Sequence, residues 1–217
     1  MPFVRKIPYD DGTLLHIWAV SETVDDLMLL CHRRGIDTSM LHSVKSLARR
    51  NELMVERLLL HIVFGYTVEL RHRDDGQPYV PNSDLHISIS HTTGLVVIAV
   101  NRDHPVGVDV ERRSSRVLRV RERFLDAQEQ SFIMPDDISD HVVAWTAKEA
   151  MYKAVGDSDA QLLNDFSISP FQSVSQGTVT FTGCYRELTF DLLTLIKDDY
   201  VITLAHQHID RQETKQP

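Results

Sequence analysis

The sequence predicts an α+β protein made of two similar, closely packed lobes. Three observations carry that prediction. Helical periodicities alternate with groups of short β segments. A helix followed by a turn-rich stretch and hairpin strands occurs twice, in HISISHTTGLVVIAV and again in FDLLTLIKDDYVITLAH, without sequence identity between the copies. No Gly-, Ser- or Pro-rich linker divides the 217 residues, which favours lobes in contact over tethered domains. The boundary is placed near the middle, with an N-terminal lobe over 1–104 and a C-terminal lobe over 105–217.

The elements follow in order. Leu14 to Val20 is a short apolar run suited to a strand. Ser21 can cap the next helix, where Glu22, Asp25 and Asp26 complement the N-terminal dipole, Leu27, Leu29, Leu30 and Cys31 are apolar, and Gly35 is a stop. A longer helix is read from Leu41 to Phe64, with Leu47, Met54, Leu58 and Ile62 at helical spacing and Gly65 ending it. DDGQPYVPNSD is rich in turn formers. LHISIS, GLVVIAVN and VGVDVE then read as strands. A helix over Ser115–Phe132 carries an arginine cluster, and Pro135 breaks the chain. Ser139 can cap a third long helix that ends at Val155, before Gly156. DFSIS, GTVTF, LTFDLLTLI and YVITLAH return to β character, and IDRQETKQP is read as a frayed polar tail.

Composition excludes several function classes. With 23 Lys+Arg against 31 Asp+Glu, the formal net charge of −8 opposes non-specific binding to nucleic acid or anionic membranes. Two basic islands stand against that total: six arginines with one acid over 112–123, and six basic residues with three acids over 42–73. Cys31 and Cys184, the two cysteines, form neither a disulfide scaffold nor a Cys-x-x-Cys metal pair. MPFVRKIPYDDG lacks the apolar run of a signal peptide, and no stretch approaches the roughly 20 apolar residues of a membrane span. These features lead to the expectation of a soluble cytoplasmic protein.

Three short stretches concentrate chemistry. In GVDVE, Asp109 and Glu111 are two apart on a strand, so both carboxylates share one face and could meet a hard cation. In WTAKEAMYK, Glu149 and Lys153 share a helix face, with Lys148 beside them. In ISISHTT, Ser90 and His91 lie where a strand gives way to a turn, a setting able to hold phosphate. Each has a plain alternative when taken alone: a solvated strand edge, a surface Glu–Lys pair, a hydrogen-bonded turn histidine. His206 and His208 alternate on a late strand with no third ligand apparent. Walker, Rossmann and nucleophile-elbow patterns are missing.

Taken in order, GQPYVPNSDLHISISHTTGLVVIAV, PVGVDVE, RFLDAQE and WTAKEAMYKAVG resemble the 4'-phosphopantetheinyl transferases in their long, surfactin-synthetase-activating type. The resemblance runs from about Gly76 to Gly156. It implies that family's fold, two similar α+β lobes packed as a pseudo-dimer in a monomer. It also implies transfer of 4'-phosphopantetheine from coenzyme A to a serine of an apo acyl or peptidyl carrier protein, releasing adenosine 3',5'-bisphosphate. Asp109, Glu111 and Glu149 would hold Mg2+, with Mn2+ as the alternative ion. Lys148 and Lys153 would meet coenzyme A phosphates, as would Ser90 and His91. Glu149, Lys153 and Glu129 would be the catalytic set, with Glu149 as base. Gln77 and Pro78 occupy a nucleotide-contacting position where the family often has Lys or Arg before the proline. The 3'-phosphate grip is expected from the N-terminal half, where Lys45, Arg49, Arg50 and Arg57 are available. The arginine island Arg112–Arg123 could steer an acidic carrier. The rival readings are a metal-dependent phosphohydrolase acting on coenzyme A-like pyrophosphates, and a non-catalytic module binding coenzyme A or a carrier protein.

Overall fold

Alternation along the strands sorts the apolar residues into separate cores. The computed structural model describes residues 3–208, and the polar tail from Ile209 onward lies outside them. Along the chain come β1 (Phe3–Pro8), β2 (Leu14–Ala19), α1 (Val24–Arg33), α2 (Leu47–Phe64), β3 (Arg71–His72), β4 (Pro78–Tyr79), β5 (His86–Thr92) and β6 (Leu95–Asn101). They are followed by β7 (Val106–Arg112), α3 (Ala127–Phe132), α4 (Ile138–Val155), β8 (Phe166–Ile168), β9 (Gly177–Tyr185), β10 (Leu188–Ile196) and β11 (Tyr200–Gln207). One antiparallel sheet has the order β1-β2-β6-β5 and a second the order β7-β11-β10-β9-β8; β3 and β4 form a small hairpin.

Period two then decides what each strand covers. On β6, Val96, Ile98 and Val100 face the core under α1 and α2, with Trp18, Leu27, Met54 and Leu58. The intervening Leu95, Val97 and Ala99 face a core between the sheets, against Val108, Val110, Ile202 and Leu204. Both faces of β6 are therefore covered, and all its residues are buried. The other face of the second sheet packs Val201, Ala205, Phe190 and Leu192 against α4. The stretches HISISHTTGLVVIAV and FDLLTLIKDDYVITLAH form the β5–β6 and β10–β11 hairpins.

Where the two sheets meet, β5 and β7 are joined by side chains. Ser88 Oγ accepts from Val108 N at 2.9 Å, and Ser90 Oγ accepts from Val110 N at 3.4 Å. On the other side of β7, Gly107 lets α4 approach closely. A Cβ there would lie 1.8 Å from the Ala150 carbonyl oxygen. Ala147, Ala150 and Ala154 complete the close fit, and α4 is buried around most of its circumference.

Several boundaries differ from the sequence reading. Thr23, not Ser21, caps α1, in a reciprocal capping box with Asp26. The helix read from Leu41 to Phe64 is a short 3-10 turn at Ser39–Ser43 and then α2, capped by Ser46. Asp137, not Ser139, caps α4. The helix read over Ser115–Phe132 is two 3-10 turns, Val117–Arg119 and Arg121–Arg123, followed by the short α3. Phe124 and Leu125 are fully buried at the point where that helix would have run on, so tertiary packing overrides the local pattern. The edge strand β1, with two basic residues in six, had no clear apolar signal.

Candidate active site

α4 and β7 assemble the site. Glu149, Tyr152, Lys153 and Gly156 recur at the spacing of one helix face, and all four line a cleft of about 370 Å³. The opposite wall brings Arg49 and Glu56 from α2, Ser88 and His91 from β5, and His72, Asp75, Gly76, Gln77 and Pro78 from the β3–β4 hairpin. β7 presents Asp109 toward α4 in the gap that Gly107 opens. A second cavity, of about 380 Å³, is lined by Thr92, Thr93, Glu111, Arg112, Arg116 and Trp145. Glu149 lines the first cavity and Glu111 the second.

The electrostatics are unbalanced. Asp109 is buried; its Oδ1 accepts from Ser90 Oγ at 2.8 Å and from Lys153 Nζ at 2.7 Å. Its Oδ2 is buried without any hydrogen-bond partner. Burial and the neighbouring Asp109 charge push Glu149 up to about 7, with Glu111 adding to the repulsion and Lys153 opposing it. Burial and Asp109 likewise raise Glu111, against a bond from Trp145. In both cases the Lys153 ammonium opposes the rise without cancelling it. Among the described residues, no three His, Cys, Asp or Glu side chains are arranged to hold a metal ion as they stand.

The other predicted residues divide between the cleft and the interior. The His91 ring meets the Arg49 guanidinium, which also bonds Glu52 at 3.2 Å. Of the four N-terminal cations, Arg49 alone lines the cleft. Arg50 is taken up by the Val44 carbonyl and Arg57 lies beside Glu56, while Lys45 is exposed. Gln77 does not point a polar head at open cleft. Its Nε2 donates to the Lys153 carbonyl at 3.0 Å, packed so tightly on Gly156 that a Cβ there would collide with it. Lys148 and Glu129 are outside the cleft, paired with each other at 2.7 Å and essentially unexposed. A lysine one residue before Glu149 points some 100° away around the helix, which sequence adjacency conceals. His206 and His208 both face Asp191, at 3.6 and 2.8 Å. Half of the arginine island is spent internally. Arg112 meets Asp199 and the Thr93 carbonyl, Arg113 bonds three carbonyls, and Arg121 bonds the Pro135 carbonyl. Arg116, Arg119 and Arg123 are exposed. The cleft residue that the sequence reading missed most plainly is Tyr152, recoverable from its place three residues after Glu149 on the same face.

Residues 105–205, the stretch holding β7, α4 and the second sheet, match the model of the 4'-phosphopantetheinyl transferase superfamily. Over that stretch the chain is similar to that superfamily. Curated relatives agree. The 4'-phosphopantetheinyl transferase gsp of Aneurinibacillus migulanus is 31% identical over 128 residues, which are 56% of this chain and 53% of that protein. The transferase Sfp of Bacillus subtilis (strain 168) is 30% identical over 98 residues, 43% of each chain. The transferase HetI of Nostoc sp. is 27% identical over 159 residues, 65% of this chain and 64% of that protein. The matched part of the chain thus spans about half the length of the superfamily relatives it resembles. No helix among the described residues is long and apolar enough to cross a membrane.

Proposed function

We propose that the chain transfers 4'-phosphopantetheine from coenzyme A to a serine of an apo acyl or peptidyl carrier protein in the cytoplasm. It would do so as a monomer of two similar lobes, 1–104 and 105–217, packed as a pseudo-dimer. The observation that carries the reading is the orphaned Asp109 carboxylate oxygen beside two raised carboxylates, at a cleft whose far wall holds the Arg49–His91 contact. The fit to Mg2+ rests on the donor set. Asp109, Glu111 and Glu149 offer only hard oxygens, they repel one another, and one buried oxygen lacks any partner. These three residues would hold the ion. Bound there, it supplies the charge that lets an anionic pyrophosphate sit beside carboxylates and that stabilises the leaving phosphate.

The chain's own residues do the rest. Arg49 and His91 bind coenzyme A phosphate at the outer end of the cleft, with Ser90 behind them. Lys153, beside Asp109, meets the pyrophosphate and stabilises negative charge as it builds on the departing adenosine 3',5'-bisphosphate. The carrier serine oxygen attacks the phosphorus that bears the pantetheine. The bond from that phosphorus to the bridging pyrophosphate oxygen breaks, and the serine proton passes to Glu149. The nucleophile comes from the partner, so the enzyme needs no reactive Ser or Cys. The second cavity, lined by Glu111 and the exposed Arg116 among others, is the approach for an acidic carrier.

The test is incubation with coenzyme A, Mg2+ and a panel of apo carrier proteins, read by intact mass. A gain of one phosphopantetheine on a carrier is expected. Release of free phosphopantetheine with every carrier unmodified would replace the reading with a hydrolase, and binding without turnover would replace it with a binding module.

A further inference from the structure

The Lys148–Glu129 pair takes no part in the cleft, yet it is buried and densely hydrogen-bonded. All three Lys148 Nζ hydrogens are used, on Glu129 Oε2 at 2.7 Å, the Phe166 carbonyl at 2.8 Å and the Leu162 carbonyl at 3.2 Å. Glu129 also accepts from Asp126 N at 2.9 Å on Oε2 and from Ile168 N at 3.0 Å on Oε1. Side-chain exposure is 0% for Lys148 and 2% for Glu129. Neither group can reach a substrate without stranding two carbonyls and two amides in the interior.

We propose that this buried pair is a positioning brace that fixes the rotation of α4, and hence the direction in which Glu149 and Lys153 enter the cleft. The inference rests on the transfer reading above. Four separate segments converge on the pair: the start of α3, the middle of α4, the end of the 157–165 connection, and β8. That connection leaves α4 at Gly156, which lines the cleft, so pinning Leu162 and Phe166 holds the far end of the segment that the cleft borders. Lys148 and Glu149 are consecutive and leave the helix about 100° apart. Holding the first therefore sets the second. With a helix radius of about 5–6 Å including side chains, a 20° rotation displaces the Glu149 head on the order of 2 Å. A misplacement of about 1 Å can cost on the order of 10²-fold in rate. Glu129 and Lys148 thus act through Glu149 and Lys153, not on phosphate or on the serine proton.

The test compares wild type with Glu129→Gln, Lys148→Met and the double variant Lys148→Met/Glu129→Gln. The double variant leaves no unpaired charge in the interior, so it keeps the test open should Lys148→Met alone fail to fold. Transfer kinetics, coenzyme A affinity by calorimetry, and amide hydrogen exchange are measured well below each variant's melting temperature. The brace predicts a kcat loss of about 10- to 100-fold in each variant, with the double no worse than the more impaired single. Coenzyme A affinity should stay within about twofold, and exchange across 157–168 should quicken. A tenfold weaker coenzyme A affinity in Lys148→Met would overturn the proposal, because it would put Lys148 on a phosphate. Multiplying losses in the double variant would also overturn it, showing two independent catalytic groups, as would undiminished kcat or unchanged exchange. If the wild type modifies no carrier, the transfer reading fails, while exchange across 157–168 still decides the brace.

Discussion

Replacing Gly107 by Ala tests the geometry on which the site depends. The added Cβ would lie 1.8 Å from the Ala150 carbonyl oxygen and 2.8 Å from both the Ala150 carbonyl carbon and Ala154 N. All three are backbone atoms of α4, so no side chain can swing aside. Restoring ordinary contact requires α4 and β7 to part by about 1.5 Å at this point. Overpacking of this kind typically costs about 1–3 kcal/mol. For a chain of this length that is roughly 2–12 °C in melting temperature. The separation also carries Glu149 and Lys153 away from Asp109, and a shift of that size predicts about a 10²-fold loss of transfer rate in the molecules that remain folded. Calorimetric melting and single-turnover transfer, measured on the same preparation, check both numbers. A Gly107→Ala protein with wild-type melting and wild-type turnover would refute the close approach and its role in gathering the site.

Three further outcomes follow from the site's charges. The raised Glu149 makes the folded protein hold a proton more tightly than the unfolded chain does, so that its stabilising effect is present below the ordinary value of 4.5 and is lost as pH rises through about 7. Without divalent cation, melting temperature should fall across that window, Glu149→Gln should flatten the fall while abolishing transfer, and added Mg2+ should raise melting more at pH 8 than at pH 5.5. Equal Mg2+ shifts at both values would argue against these carboxylates as the cation's ligands. Arg49→Ala should weaken coenzyme A about 10-fold or more in calorimetry, in line with a lost charge-assisted contact of about 1.5–3 kcal/mol. The penalty should be much smaller for coenzyme A lacking its 3'-phosphate, and equal penalties for the two ligands would move Arg49 elsewhere on the ligand. Reversing charge at Arg116 and Arg119 should raise KM for an acidic carrier protein severalfold, with coenzyme A affinity unchanged. An unaltered KM would remove the exposed part of the arginine island from docking.

Strand character in LHISIS, GLVVIAVN and VGVDVE was legible because period two sorts their residues between two faces, both apolar on β6, and Val106, Val108 and Val110 against Gly107, Asp109 and Glu111 on β7. The carboxylates of β7 were legible for the same reason. What the sequence hid was rotation and depth. Lys148 and Lys153 look equivalent in WTAKEAMYK, yet they leave α4 in different directions, one into the interior and one into the cleft. Gln77 looked like a weakened ligand contact, whereas its amide caps the end of α4 through the Lys153 carbonyl. The arginine cluster read as one helix because its local composition allows a helix; burial of Phe124 and Leu125 bends that segment into short turns instead. Helix periodicity alone separates Lys148 from Lys153, but the burial of Lys148, the turn of Gln77 onto the Lys153 carbonyl and the break at Phe124 and Leu125 are decided by residues far away in the chain.

The two serines that join β5 to β7 have a consequence for how the protein behaves at high concentration. An open sheet edge is a template for pairing with another molecule. Each of these sheets turns one of its two edges toward the other, and Ser88 and Ser90 engage amides of β7 that would otherwise be free to recruit a foreign strand. That leaves β1 and β8 as the outward edges of the two large sheets. β8 is three residues long, and β1 carries Arg5, Lys6 and Pro8, whose charges and missing amide hydrogen discourage strand addition. The seam that supports the cleft therefore also protects the chain from edge-to-edge aggregation, so loss of the Ser88 and Ser90 hydroxyls should appear as turbidity on concentration as well as in catalysis.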